Sequence, residues 1–155
     1  MPDPVSLRGA SMSSTLKLDQ QFCFALHSTM LAMNKAYRRL LEPLGLTYSQ
    51  YLVMLVLWQR DGLTVSEIGE QLFLNSATLT PLLKRLECQA LLARRRSGED
   101  ERQVLISLTD KGRELQAMAK DIPEELGQTL ECGGLHLDEL RKELIQLRKR
   151  LYDRS

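Results

Sequence analysis

Apolar residues recur at helical spacing through residues 16–41, at Phe22, Leu26, Met30, Met33, Tyr37, Leu40 and Leu41, with no glycine or proline between them. That pattern predicts one long helix, stopped by Pro43 and Gly45. Thr47 followed by Gln50 is a capping box that opens a second helix through Leu52, Leu55, Val56 and Trp58 as far as Asp61 and Gly62. Thr64 and Glu67 repeat the signal for a short third helix with Ile68 and Leu72 inward, ending near Phe73 and Leu74. Asn75 or Ser76 caps a fourth through Leu79, Leu82, Leu83, Leu86 and Ala90, with Pro81 early in it, where its missing donor does least harm. The pattern then changes period. Gly98 lies among charges, and Val104, Leu105 and Ile106 read as a strand. A helix capped at Thr109 is expected to run to about Leu126 despite Pro123, and Cys132, Gly133 and Gly134 make a break. The last helix, from His136 to Tyr152, carries Leu137, Leu140, Leu144, Leu147 and Leu151 on one stripe.

Two short helices joined by a turn and followed by a hairpin describe a mostly α winged helix-turn-helix with a two-stranded β wing. The boundaries read as a loose arm over residues 1–15, a DNA-reading region over 47–108, and a helical dimerisation region over 16–46 and 109–155, in one compact domain. The leucine stripe of the last helix would serve either packing within the chain or, with the long first helix, a layer between two copies. Paired recognition helices about one DNA turn apart favour the homodimer.

Composition narrows the chemistry. The net charge is only +1, so any nucleic-acid surface must be a local concentration of basic groups. No apolar run approaches the roughly 20 residues that cross a bilayer, and no membrane partner is expected. The first residues lack the plan of an export signal, which points to the cytoplasm, where three cysteines read as reduced thiols. Pairs of Cys23 with His27 and of Cys132 with His136 have zinc-like spacing, but the two pairs would have to meet; no metal and no cofactor is expected.

Asn75, Ser76, Ala77, Thr78 and Thr80 form the exposed leading edge of the fourth helix, small enough for close approach to bases and phosphates. Lys84, Arg85, Arg94, Arg95 and Arg96 would supply backbone contacts. Behind the three arginines stands D-E-R-Q-V-L-I-S-L-T-D-K-G, residues 100–112. This D-x-R-x5-L-T-x2-G pattern resembles the wing of the MarR family of bacterial regulators. The resemblance implies that Arg102 enters the minor groove with Asp100 holding its side chain, that double-stranded operator DNA is the partner, and that the protein works at the bacterial nucleoid.

Judged alone, Cys23 among apolar neighbours would be a small core filler. Its conjunction with Tyr37 and Tyr48, and the helix S-A-T-L-T-P-L-L-K-R-L-E, resemble the organic-hydroperoxide-sensing, OhrR-type branch of that family over residues 16–126. The resemblance implies a redox-active Cys23 whose thiolate accepts hydrogen bonds from Tyr37 and Tyr48 of the other subunit. Geometry agrees: 14 residues of continuous helix separate Cys23 from Tyr37, about 21 Å at helical rise, so they could meet only between subunits. An ordinary thiol, with a pKa of about 8.5, is a few per cent ionised at neutral pH, and two phenolic donors would favour the anion. Phe22, Phe24, Leu26 and Met30 would give the pocket an apolar character suited to an organic hydroperoxide, with His27 lining it where many members of the branch carry tyrosine. A sulfenic acid formed there would be captured by Cys132 as resolving thiol or by a low-molecular-weight thiol; Cys88 has no assigned role.

The expected function is therefore a DNA-binding repressor released by cysteine oxidation. A MarR-type repressor released by a small phenolic ligand is the second reading. A thiol peroxidase is the third, although no acid-base constellation accompanies the thiol, and the protein is not expected to be an enzyme.

Overall fold

The computed structural model describes residues 16–131 and 134–155, and the chain divides into two units at the Lys35–Ala36 boundary. The described part of the first unit holds a 3-10 turn at Leu18–Gln20 and the beginning of α1 (Phe22–Leu41). The helix starts at Phe22 rather than Leu16 because Gln21 adopts extended backbone, with φ −86° and ψ 118°.

The second unit is built around α2 (Tyr48–Gln59), whose sequence YSQYLVMLVLWQ is apolar on nearly every side and which buries Tyr51, Val53, Met54, Val56 and Leu57. Both capping boxes form. Thr47 N–H donates to Gln50 Oε1 at 3.0 Å and Gln50 N–H to Thr47 Oγ1 at 3.3 Å. Thr64 and Glu67 do the same for α3 (Val65–Leu72), at 2.8 and 3.1 Å. Asn75 caps α4 (Ser76–Cys88) by accepting from Thr78 N–H at 2.9 Å. Pro81 is the sixth residue of α4, past the first turn, so it does deprive the Ala77 carbonyl of a helical donor.

The wing has more strands than the sequence predicts. Strands β1 (Leu63–Thr64), β2 (Leu92–Arg96) and β3 (Val104–Leu108) form an antiparallel sheet in the order β1-β3-β2. Leu63 stands opposite Ile106, and Arg94 opposite Ile106 from the other side. A two-residue strand has no alternation to read. Its place is fixed by Asp61, whose Oδ1 accepts from Gly62 N–H and from Leu108 N–H, each at 2.8 Å.

The helix expected from Thr109 to about Leu126 is two: α5 (Asp110–Ala119) and α6 (Ile122–Glu131). Pro123 cannot donate to the carbonyl of Ala119 and its ring collides there, so the chain breaks and restarts with proline in the first turn of α6. The last helix is α7 (Leu137–Tyr152), none of whose residues is buried. Its C-terminal end meets the turn between α3 and α4 of the same chain. The Tyr152 and Phe73 rings lie 5.3 Å apart and the Arg148 guanidinium sits 4.3 Å over Phe73.

The core joins α2, α3, α4 and the sheet through Met54, Leu57, Leu63, Ile68, Leu79, Leu83, Leu86, Leu92 and Ile106, and reaches Ala119 and Ile122. Gly112 lets α5 seat on the root of the wing, because a Cβ there would overlap the Leu91 carbonyl oxygen. No single helix among the described residues is long and apolar enough to cross a membrane.

Candidate DNA-reading head and thiol site

The fourth helix presents its N-terminal edge to solvent. Asn75, Ser76, Ala77 and Thr78 are exposed and Thr80 half-buried, while Leu79, Leu83 and Leu86 hold the opposite face in the core. Asn75 spends its carboxamide oxygen on the cap, which leaves its amino group for other partners. Lys84 and Arg85 are exposed farther along.

The arginines of the wing do not form one patch. Side chains alternate along a strand, so Arg94 and Arg96 share a face with buried Leu92, and Arg95 faces the other way. Arg94 is held by an ion pair to Glu87 of α4, which turns it from a phosphate contact into a tie between helix and wing. Arg95, Arg96 and Arg102 are exposed and have no ion pair among the described residues. Asp100 also differs from expectation: its carboxylate accepts from the backbone N–H of Arg102 at 3.0 Å rather than from the guanidinium. With Gln103 N–H donating to the Asp100 carbonyl at 3.0 Å, Asp100 shapes the tip of the wing and leaves the Arg102 side chain free.

In the first unit, Cys23 is exposed and is not a core filler. Phe22, Phe24, Leu26 and Met30 around it are 38% to 52% exposed, an apolar surface too large for a helix facing water alone. His27 is exposed and makes no hydrogen bond among the described residues. Cys88 is exposed too, whereas Cys132 lies outside the described residues.

In the second unit, Tyr37 and Tyr48 come together with ring centroids 4.4 Å apart, and Tyr51 stands 5.8 Å from Tyr37. The spacing of three residues on α2 puts Tyr48 and Tyr51 on one face. That spacing is the signal by which Tyr51, 2% exposed, could have been added to the site. Trp58 meets Tyr51 edge-on at 6.4 Å and donates to the Gly112 carbonyl at 2.9 Å, fixing the cluster to α5. Burial, then repulsion from Tyr48 and Tyr51, pushes the Tyr37 phenol up to about 12; burial also raises Tyr48. Both phenols are therefore fully protonated donors at neutral pH. Neither hydroxyl has a hydrogen-bond partner among the described residues.

Comparison with known proteins matches residues 35–119 to the family described as transcriptional regulator SarA/Rot. The chain is 46% identical over 140 residues to the organic hydroperoxide resistance transcriptional regulator of Bacillus subtilis, covering 90% of this chain and 95% of that protein. Among solved structures, it is similar to AbfR of Staphylococcus epidermidis in its reduced form bound to DNA, with a TM-score of 0.76 and 36% identity over 87% of this chain and 94% of that one. Overoxidised AbfR bound to DNA gives a TM-score of 0.72 and 38% identity over 86% and 94%. Helix-turn-helix, wing, tyrosine pair and these likenesses converge: the chain belongs to the SarA/Rot and MarR family of winged-helix transcriptional regulators and is related to the organic hydroperoxide resistance regulator.

Proposed function

We propose that this regulator is a cytoplasmic homodimer that holds operator DNA while Cys23 is reduced and releases it when an organic hydroperoxide oxidises that thiol. The observation that carries the reading is the Tyr37–Tyr48 pair, whose protonated hydroxyls have no hydrogen-bond partner among the described residues, in a chain whose Cys23 is exposed. Two phenols from one subunit would donate to the Cys23 thiolate of the other. The exposed apolar residues Phe22, Phe24, Leu26 and Met30 would be covered by the dimer and the organic part of the oxidant.

The chemistry balances without a cofactor. The thiolate attacks the terminal peroxide oxygen, the O–O bond breaks, and the departing alkoxide takes a proton to become an alcohol. The sulfur loses two electrons to the peroxide and becomes a sulfenic acid. A second thiol, from Cys132 or a low-molecular-weight compound, then displaces water to form a disulfide. Either change removes the anion to which the phenols donate, so the two reading heads lose their shared register. The switch requires only a differential stability between two states.

On the DNA side, Ser76, Ala77, Thr78 and Thr80 would face the major groove, Lys84, Arg95 and Arg96 the phosphates, and Arg102 the minor groove. The family's proteins regulate transcription and are not enzymes in general, and the wing has no use in a thiol peroxidase. The test is a gel-shift with the region upstream of the protein's own gene, before and after stoichiometric organic hydroperoxide. Wild type should release the DNA and Cys23→Ser should retain it. Equal release by the serine variant would refute the thiol switch, and release by phenols instead would favour the small-ligand reading.

A further inference from the structure

A groove of about 530 Å³ lies between the end of α1, the start of α2 and the far end of α4. Arg38, Arg39 and Arg85 line it, with Glu42 as the carboxylate among them. The ion pairs of the described residues engage Glu87, Asp61, Asp110 and Asp138, so none of these three guanidiniums has one. Three cations less one anion leave a local charge of +2 on a protein whose whole charge is +1. A guanidinium cannot shed its proton to relieve that crowding.

Two glutamines supply the polar detail. Gln50 is 4% exposed and lines the groove; its Oε1 is used by Thr47 N–H, while its Nε2 has no hydrogen-bond partner among the described residues. Gln89 lines the groove as well and donates from Nε2 to the Gly45 carbonyl at 3.2 Å, tying the end of α4 to the turn before α2. The N-terminus of the 12-residue α2 opens onto the same space and adds a partial positive charge. The donors and cations call for an anion.

We propose that this groove binds a small phosphate monoester. Such a group carries about −1.5 to −2 at neutral pH, matching the charge of the groove. The site is separate from the leading edge of α4. Arg85 stands ten residues beyond Asn75, about 15 Å along the helix. A bound ester would tie the rear of the reading helix to α1 and α2 and so bias how that helix is seated.

The probes are inorganic phosphate and glycerol 3-phosphate, each compared with sodium chloride at equal ionic strength, on the reduced full chain by thermal unfolding. Wild type should gain several degrees with each. The Arg38→Gln/Arg39→Gln variant should bind at least tenfold more weakly while unfolding normally in chloride. Phosphorus NMR line-broadening on wild type gives a second reading that no variant's folding affects. No response of wild type to either probe beyond that to chloride overturns the proposal. So does a silent groove whose double arginine variant lowers the salt dependence of operator binding by about two, which would assign the cations to DNA phosphodiesters.

Discussion

Replacing Gly112 by alanine perturbs the joint on which the wing, α5 and the tyrosine cluster all depend. The added Cβ would overlap the Leu91 carbonyl oxygen and stand 3.1 Å from its carbon and 3.2 Å from Leu108 Cδ2. None of these is the end of a flexible polar chain. The Leu91 carbonyl is itself held by Thr109 N–H at 3.1 Å, so it cannot swing aside without breaking the start of α5. If α5 moves instead, three more contacts go: Thr109 Oγ1 to Ala90 O at 2.6 Å, Lys111 Nζ to Gln89 O at 3.0 Å, and Trp58 Nε1 to Gly112 O at 2.9 Å. At about 1 kcal/mol for each hydrogen bond lost, the expected cost is about 3–4 kcal/mol. For a chain of this size that lowers the midpoint by about 6–16 °C. Urea and thermal unfolding followed by circular dichroism measure it. Gly127→Ala is the matched control, since a Cβ there meets nothing within 4 Å inside α6; it should stabilise by up to about 1 kcal/mol. A Gly112→Ala protein within about 1 kcal/mol of wild type would refute the reasoning, because a close approach that costs so little cannot be holding the joint.

Three further outcomes are expected. Arg102→Ala should weaken operator binding and lower its salt dependence by about one, and unchanged affinity across salt concentrations would count against a DNA-contacting tip. Ala90, at φ 58° beyond α4, should gain about 0.5–1 kcal/mol on replacement by glycine in denaturant unfolding. The Tyr37 phenol is raised from 10.0 to about 12, so the folded state holds a proton that the unfolded state gives up. Stability from this group is complete below pH 10.0 and is lost as the pH climbs towards 12. The roughly 2.7 kcal/mol of such a displacement falls to about 1 kcal/mol for a half-buried ring, and Tyr37→Phe should flatten that part of the profile.

The parts of the fold legible in the sequence are those set by local chemistry. Thr47 with Gln50 and Thr64 with Glu67 announce their helices because cap donors and acceptors lie three residues apart. The leucines of α4 announce its buried face, and the alternation at residues 104–106 its strand. What the sequence hid depends on partners far along the chain. Strand β1 exists because Asp61 reaches across 47 residues to Leu108. Arg94 looks like its two neighbours until Glu87 claims it. Asp100 is expected to hold the Arg102 side chain and instead accepts from that residue's backbone N–H, since an aspartate two residues before an N–H closes a local turn as readily as it pairs with a guanidinium. Pro123 is visible in the sequence, but it divides the expected helix into α5 and α6 where a single bent helix is also compatible with the pattern. At the thiol, the combined pattern singles out Cys23, Tyr37 and Tyr48 as the proposed site, whereas Tyr51 stands out only through the packing of the rings.

The central claim is that the reactive site is shared between subunits, and subunit mixing tests it most directly. A Cys23→Ser protein and a Tyr37→Phe/Tyr48→Phe protein are each prepared, and sulfenic acid formation with an organic hydroperoxide is timed for each alone and after exchange into mixed dimers. Losing hydrogen bonds to a charged acceptor, at about 1.5–3 kcal/mol apiece, should slow the tyrosine variant by tenfold or more. In a mixed dimer the only Cys23 faces the only intact tyrosine pair, so a phase at the wild-type rate should return. If the mixture reacts no faster than its two parents, the phenols do not act across the interface.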